Sequence, residues 1–215
     1  MSMDEFGLQG LDRLRALWDA YQKIILGVGG AIVAAVIVGV FTIRARDEAN
    51  ATAAGRLAEA GLQYWQGNYQ GSLSAAQQVA GQFAGTAAGR DAWRLAGDDQ
   101  YWLGQFKDAA ASYRKYLEHA RPGLLTDGVK RSLAYALESD RQFDEAGKLF
   151  LEIAPRLDRE SAADALMGAA RCARASGRSA EAAALYRRVV DEFGDTGPAR
   201  MARVYQAEMG VSRLR

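Results

Sequence analysis

The chain of 215 residues contains one cysteine, one histidine and three prolines. A lone cysteine, Cys172, excludes an intrachain disulfide, and among neighbouring alanines it reads as a small buried side chain. A lone histidine, His119, stands near a predicted helix end and lacks the company that a triad or a histidine metal site needs. The carboxylate pairs Asp98 with Asp99 and Glu138 with Asp140 lack a nucleophile or metal partner. The sequence GVGGAI at 27–32 has no preceding strand and no acidic partner, so it is not a nucleotide loop. No cofactor, no metal, no small-molecule substrate and no enzymatic activity are therefore expected. Charge of one sign is missing too. From Asp47 onward there are 22 basic and 22 acidic residues. A nucleic-acid binder shows a basic face, so no nucleic acid is expected. With only Pro122, Pro155 and Pro198 as breakers and abundant alanine, the chain favours helices.

One feature is present in excess. Ile24 to Ile43 is a run of twenty residues with a single polar member, Thr42. As a helix it spans about 30 Å, the hydrocarbon thickness of a bilayer. It has no polar face, as a core helix would. It is longer than a secretory apolar region and is followed by Arg44, Arg46, Asp47 and Glu48. The reading is one uncleaved span at 24–43, with Trp18, Tyr21, Lys23 and Arg44 as interfacial anchors. Gly27, Ala31, Ala35 and Gly39 recur every fourth residue and form one small-residue stripe, a candidate helix-packing face in lipid. Before the span, at 1–23, Leu8, Leu11, Leu14, Trp18 and Tyr21 mark an amphipathic tail. The flanking charges tie, with Arg13, Arg15 and Lys23 on one side and Arg44, Arg46 and Arg56 on the other, and leave orientation open.

The remainder, 44–215, carries an internal period. GNYQGSLSAA begins at Gly67, GQFKDAAASY at Gly104, RQFDEAGKLF at Arg141 and GRSAEAAALY at Gly177, offsets of 37, 37 and 36. In phase, Tyr69, Phe106, Phe143 and Ser179 share one position. Ser72, Ala109, Ala146 and Ala182 share a second, and Ala76, Tyr113, Phe150 and Tyr186 a third. The glycine ends one helix in a left-handed conformation. The small residue admits close approach, and the aromatic four places on fills the space between helices. Each unit is a helical hairpin that buries its apolar face only by stacking on its neighbours. Helices are predicted near 47–66, 70–83, 86–103, 106–120, 124–139, 143–156, 159–176, 179–193 and 198–213.

With Trp93 and Gly97 followed by Ala109 and Tyr113, the second unit resembles a tetratricopeptide repeat (TPR). Ala60, Ala134 and Ala170 take the small first-helix position of the others. The period exceeds the usual 34 by two or three residues, and the proline that often closes a unit is missing or displaced. The fold class expected is all-α: a single transmembrane helix, then an α-solenoid of about four TPR-like hairpins and a capping helix. The resemblance implies that first helices line a groove. Its candidate lining is Tyr64, Arg94, Asp98, Tyr101, Arg131, Tyr135, Glu138, Met167, Arg171 and Arg174. Mixed aromatics and both charge signs suit protein or peptide segments. Tyr64–Trp65 and Tyr101–Trp102 recur at one phase, which favours a structural role for at least one ring of each pair.

The LW..Y.K approach to the span, then one span, then alanine-rich repeats, resembles the YfgM-type ancillary subunit of the bacterial Sec translocon. That resemblance implies a cytoplasmic N-terminus and a periplasmic repeat domain in a bacterial inner membrane. It also implies a non-catalytic scaffold bound to inner-membrane complex subunits. The alternative is a fixed accessory subunit of a large membrane complex, with the transmembrane helix in the interface.

Overall fold

A computed structural model describes the backbone of residues 3–212, and side chains at 18, 20–24 and 26–210. The chain divides into two compact units, Met1–Ala49 and Asn50–Arg215. The first helix, α1, runs Met3–Trp65 and supplies residues to both.

Within the first unit, α1 is long and apolar enough to cross a membrane by length and composition, and none of its most apolar window is buried. Ile24, Val36 and Phe41 are all exposed. Thr42, the polar member of the run, donates from Oγ1 to the Gly39 carbonyl at 2.8 Å and so satisfies its hydroxyl within the helix. The predicted apolar face of Leu8, Leu11 and Leu14 lies outside the described side chains.

In the second unit the last turns of α1 pair with α2 (Tyr69–Gln82). Three further hairpins follow: α3 (Ala87–Trp102) with α4 (Phe106–Leu117), α5 (Leu124–Ser139) with α6 (Phe143–Ile153), and α7 (Arg159–Ala175) with α8 (Ser179–Glu192). A final helix, α9 (Gly197–Ser212), packs on α7 and α8. This is an all-helical solenoid of paired helices resembling TPR hairpins. The in-phase residues Tyr69, Phe106, Phe143 and Ser179 are the first residues of α2, α4, α6 and α8.

The turns explain that regularity. At each, two backbone bonds close the preceding helix. Gly67 N–H reaches the Tyr64 carbonyl and Asn68 N–H the Gln63 carbonyl. The same pair recurs from Gly104 and Gln105, from Arg141 and Gln142, and from Gly177 and Arg178. Such caps need a left-handed residue, and φ is 78°, 75°, 64° and 78° at Gly67, Gly104, Arg141 and Gly177. Arg141 keeps the geometry without the glycine, at a cost of about 1–2 kcal/mol.

Packing follows the same phase. Ser72, Ala109, Ala146, Ala182, Ala76, Phe150 and Tyr186 are fully buried, and Tyr113 nearly so. A Cβ on Gly97 would stand 2.6 Å from the Tyr113 ring, so only glycine fits between α3 and α4 here. Gly168 on α7 plays the same part for Phe150 on α6, where a Cβ would stand 2.7 Å away. Cys172 is fully buried, and burial pushes its thiol up to about 12, as expected of an inert core residue.

Two elbows between hairpins share one design. Thr86 and Thr196 donate from Oγ1 to the Phe83 and Phe193 carbonyls at 2.8 and 2.7 Å. The Thr86 hydroxyl also caps α3 by accepting from Gly89 N–H. Arg56 lies over the Phe83 ring and Arg159 over Phe193, at 5.4 and 5.3 Å. The shared elbow marks α9 as the first-helix equivalent of a further unit, capping the last hairpin.

Candidate functional site

Two rows of side chains run across the first helices, set by the small residues at 60, 97, 134 and 170. One place on stand Gly61, Asp98, Tyr135 and Arg171. Four places on stand Tyr64, Tyr101, Glu138 and Arg174. Because each pair of places differs by three residues, the rows share one helix face.

The rows change character along the stack. On α5, α7 and α9 they are joined by polar contacts. Arg131 donates to Ser161 Oγ at 2.8 Å. The Tyr135 hydroxyl donates to Asp164. Arg171 grips both oxygens of Glu138 at 2.7 and 2.8 Å, a bidentate pair across helices. Arg174 pairs with Glu208 at 3.8 Å and covers the Tyr205 ring at 4.7 Å. These groups already hold partners within the chain.

At α1, α3 and α5 the face opens into a pocket of about 340 Å³, lined by Tyr64, Asp98, Tyr101, Trp102, Tyr113, Ser132 and Tyr135. Asp98 is its one formal charge. Its Oδ1 accepts from the Tyr113 hydroxyl at 2.9 Å and its Oδ2 from Arg94 at 2.8 Å. Burial pushes the Asp98 carboxyl above its ordinary range, against the pull of Arg94 and Tyr113. Burial likewise raises Tyr64, Tyr113 and Tyr135, so all three phenols stay protonated at neutral pH.

The rim is aromatic. Trp102 donates from Nε1 to the Tyr64 hydroxyl at 2.9 Å and stacks on Tyr69 with centroids 5.8 Å apart. Tyr64 meets Trp65 and Tyr69 edge-on, and Tyr101 meets Trp102 and Phe106 edge-on. Six rings form one connected string across two hairpin tips, yet Trp65 and Trp102 remain 84% and 60% exposed. Both rings of each recurring pair belong to the string, and its two tryptophans are also its exposed members.

Of the residues expected on the groove, Tyr64, Asp98, Tyr101 and Tyr135 converge on the pocket. Arg94, Arg131, Glu138, Arg171 and Arg174 flank it or belong to the polar ladder. Met167 is corrected: it is buried, at 4% exposure. The position on α7 equivalent to Arg94 and Arg131 belongs to the core cluster. Sequence reasoning took Tyr113 as a core filler and did not single out Ser132. A buried tyrosine hydroxyl usually finds a partner, and that of Tyr113 finds Asp98.

Behind the pocket, Asp99 is fully buried, and neither of its oxygens has a hydrogen-bond partner among the described residues. Burial lifts its carboxyl to about 7, with the Ser72 hydroxyl lowering it and the Asp98 charge raising it. Among the described residues no group of three His, Cys, Asp or Glu is placed to hold a metal. His119 is exposed in the connection after α4. In the first unit Gly27, Ala31 and Ala35 are exposed and Gly39 half-buried, with nothing within 4 Å of a Cβ added at either glycine.

No family model matches the chain, and no curated protein does. Solved structures do match. One is a protein of Podosopora anserina described as a kinesin light chain with nearly identical TPR-like repeats. It is 18% identical, with a TM-score of 0.60, covering 72% of this chain and 83% of that one. A single-substitution variant of that protein matches at 18% identity and a TM-score of 0.61, with the same coverage. At this identity the likeness is one of architecture, and it establishes that the chain has the TPR-like helical-repeat fold.

Proposed function

We propose that the protein is a membrane-anchored, non-catalytic scaffold that holds a protein partner on the first-helix face of its repeats. The observation that carries this reading is the uneven use of that face. Its ionic end is occupied by pairs within the chain, whereas its aromatic end leaves an open pocket and two exposed tryptophans. Exposed Trp and Tyr beside a polar group are the residues that dominate protein interfaces. The apolar run of α1 supports anchoring by one span at 24–43. The resemblance of the LW..Y.K approach to YfgM-type translocon subunits supports a bacterial inner membrane, a cytoplasmic N-terminus and periplasmic repeats. Partners of this kind are subunits of inner-membrane complexes.

A second reading draws on the stripe. Gly27, Ala31, Ala35 and Gly39 present small side chains with open space over both glycines. This supports a fixed accessory subunit with the membrane helix itself in the interface. One experiment separates the two: quantitative co-purification of the full chain in mild detergent. Replacing Tyr101 and Trp102 by alanine releases the partner under the scaffold reading. Replacing Ala31 and Ala35 by leucine releases it under the subunit reading. Retention by the first variant contradicts the scaffold. An engineered cysteine in the repeats labelled from the cytoplasm contradicts the orientation.

A further inference from the structure

The pocket's chemistry narrows what the partner presents there. Five aromatic residues, Tyr64, Tyr101, Trp102, Tyr113 and Tyr135, line a space of about 340 Å³, large enough to admit one long side chain. Ring faces carry negative charge density and attract cations. The single charged group of the lining is a carboxylate, Asp98. Its two oxygens each accept one hydrogen bond, from Tyr113 and Arg94, and each retains a further acceptor site. The Tyr64 hydroxyl accepts from Trp102, so these two polar groups are directed to each other. No lysine or arginine of the chain is among the lining residues. Cations are placed over rings elsewhere in this protein, as Lys115 is over Trp93 at 3.9 Å and Arg174 over Tyr205. This pocket brings aromatic rings and a carboxylate together, and among the described residues no cation is placed over the rings that line it.

We propose that the pocket takes the cationic side chain, arginine or lysine, of an exposed segment of the protein partner, held between the rings with its charge on Asp98. The proposal rests on the scaffold reading and names the chemistry of its occupant. Desolvation supports it: burial holds the Asp98 carboxyl above its ordinary range, so a second cation relieves a charge that Arg94 and Tyr113 only partly compensate. The apolar stem of either side chain suits the ring faces.

The test uses the full chain in a nonionic detergent and blocked five-residue peptides, Gly-Gly-X-Gly-Gly. X is arginine, lysine, citrulline or norleucine. The readout is the NMR signal of the Trp102 indole N–H, assigned by Trp102→Phe. Arginine and lysine peptides shift it saturably, at least ten-fold more tightly than citrulline or norleucine. Asp98→Asn removes that preference. Tyr101→Leu, at a half-exposed ring, weakens cationic and neutral peptides together and guards against misfolding of the first variant. Equal binding of the norleucine peptide, or an unchanged preference in Asp98→Asn, overturns the proposal. So does tetramethylammonium binding as tightly as the arginine peptide, which would assign the site to small cations. If the cation preference fails while alanine at Tyr101 and Trp102 still releases the partner, the scaffold reading stands and its occupant is not cationic.

Discussion

Asp99 offers a quantitative test of the packing between the first two hairpins. Its side chain is fully buried, with no hydrogen-bond partner for either oxygen among the described residues, and the neighbouring Ser72 hydroxyl is likewise unpartnered among them. Burial raises the carboxyl from 3.8 to about 7. Between those values the folded chain holds a proton that the unfolded chain has released. Stability from this group is therefore complete below about pH 4 and falls as pH rises through 7, the reverse of a salt-bridged aspartate. Three pK units correspond to about 4 kcal/mol as a ceiling. The lowering by the Ser72 hydroxyl is already contained in that value. The perturbation is Asp99→Asn, which keeps the shape and abolishes the titration. Urea unfolding of the full chain in nonionic detergent, followed by circular dichroism from pH 4.5 to 8.5, gives the difference between variant and parent. The variant gains on the parent by up to about 3 kcal/mol across that range, with most of the change complete by pH 7.5. Parallel curves, or a parent that gains on the variant as pH rises, would refute the buried, unsolvated Asp99. Asp144, Asp158 and Asp195 are held below their ordinary range by hydrogen bonds and remain ionised throughout this window, so they do not contribute to the difference.

Three further outcomes follow from particular residues. Arg141→Gly supplies glycine where φ is 64° and raises stability by about 1 kcal/mol, whereas Gly104→Ala lowers it by a similar amount, both read as urea midpoints. Gly97→Ala drives a methyl into the Tyr113 ring, costs about 1–3 kcal/mol, and by moving the Tyr113 hydroxyl off Asp98 alters the Trp102 indole signal. Thr86→Ala removes the cap of α3 and costs about 1 kcal/mol in the same assay.

Much of the fold was legible because its signals are local. The left-handed turn residue, the helix start two places later and the small residue that admits a ring all fall within ten positions of one another. They recur with the period, and α2, α4, α6 and α8 begin where that phase predicts. Arg141 was legible as a turn only through its phase, since arginine carries no turn preference of its own. The first-helix face was legible as a set of positions but not as a pattern of contacts. Glu138 with Arg171, and Tyr135 with Asp164, join residues 33 and 29 apart, and such pairing depends on how neighbouring helices lie. Which polar residues spend their charge within the stack, and which face an open pocket, is decided at that level. Met167 failed for a related reason: helical periodicity placed it with Arg94 and Arg131 but did not give its packing into the core. The paired elbows at Phe83 with Thr86 and Phe193 with Thr196 share an F-x-x-T spacing that sequence reading did not single out. Their meaning emerged only with Arg56 and Arg159 over the rings.

Site-specific photocrosslinking in intact membranes tests the central claim most directly. A benzophenone amino acid is placed in the full chain at Trp102 on the pocket rim, at Lys107 on the solvent face of α4, and at Ala31 on the stripe. The account predicts one dominant protein adduct from position 102, competed by the arginine peptide, and no matching adduct from position 107. Equal adducts from 102 and 107, or a partner captured from position 31 alone, would contradict it.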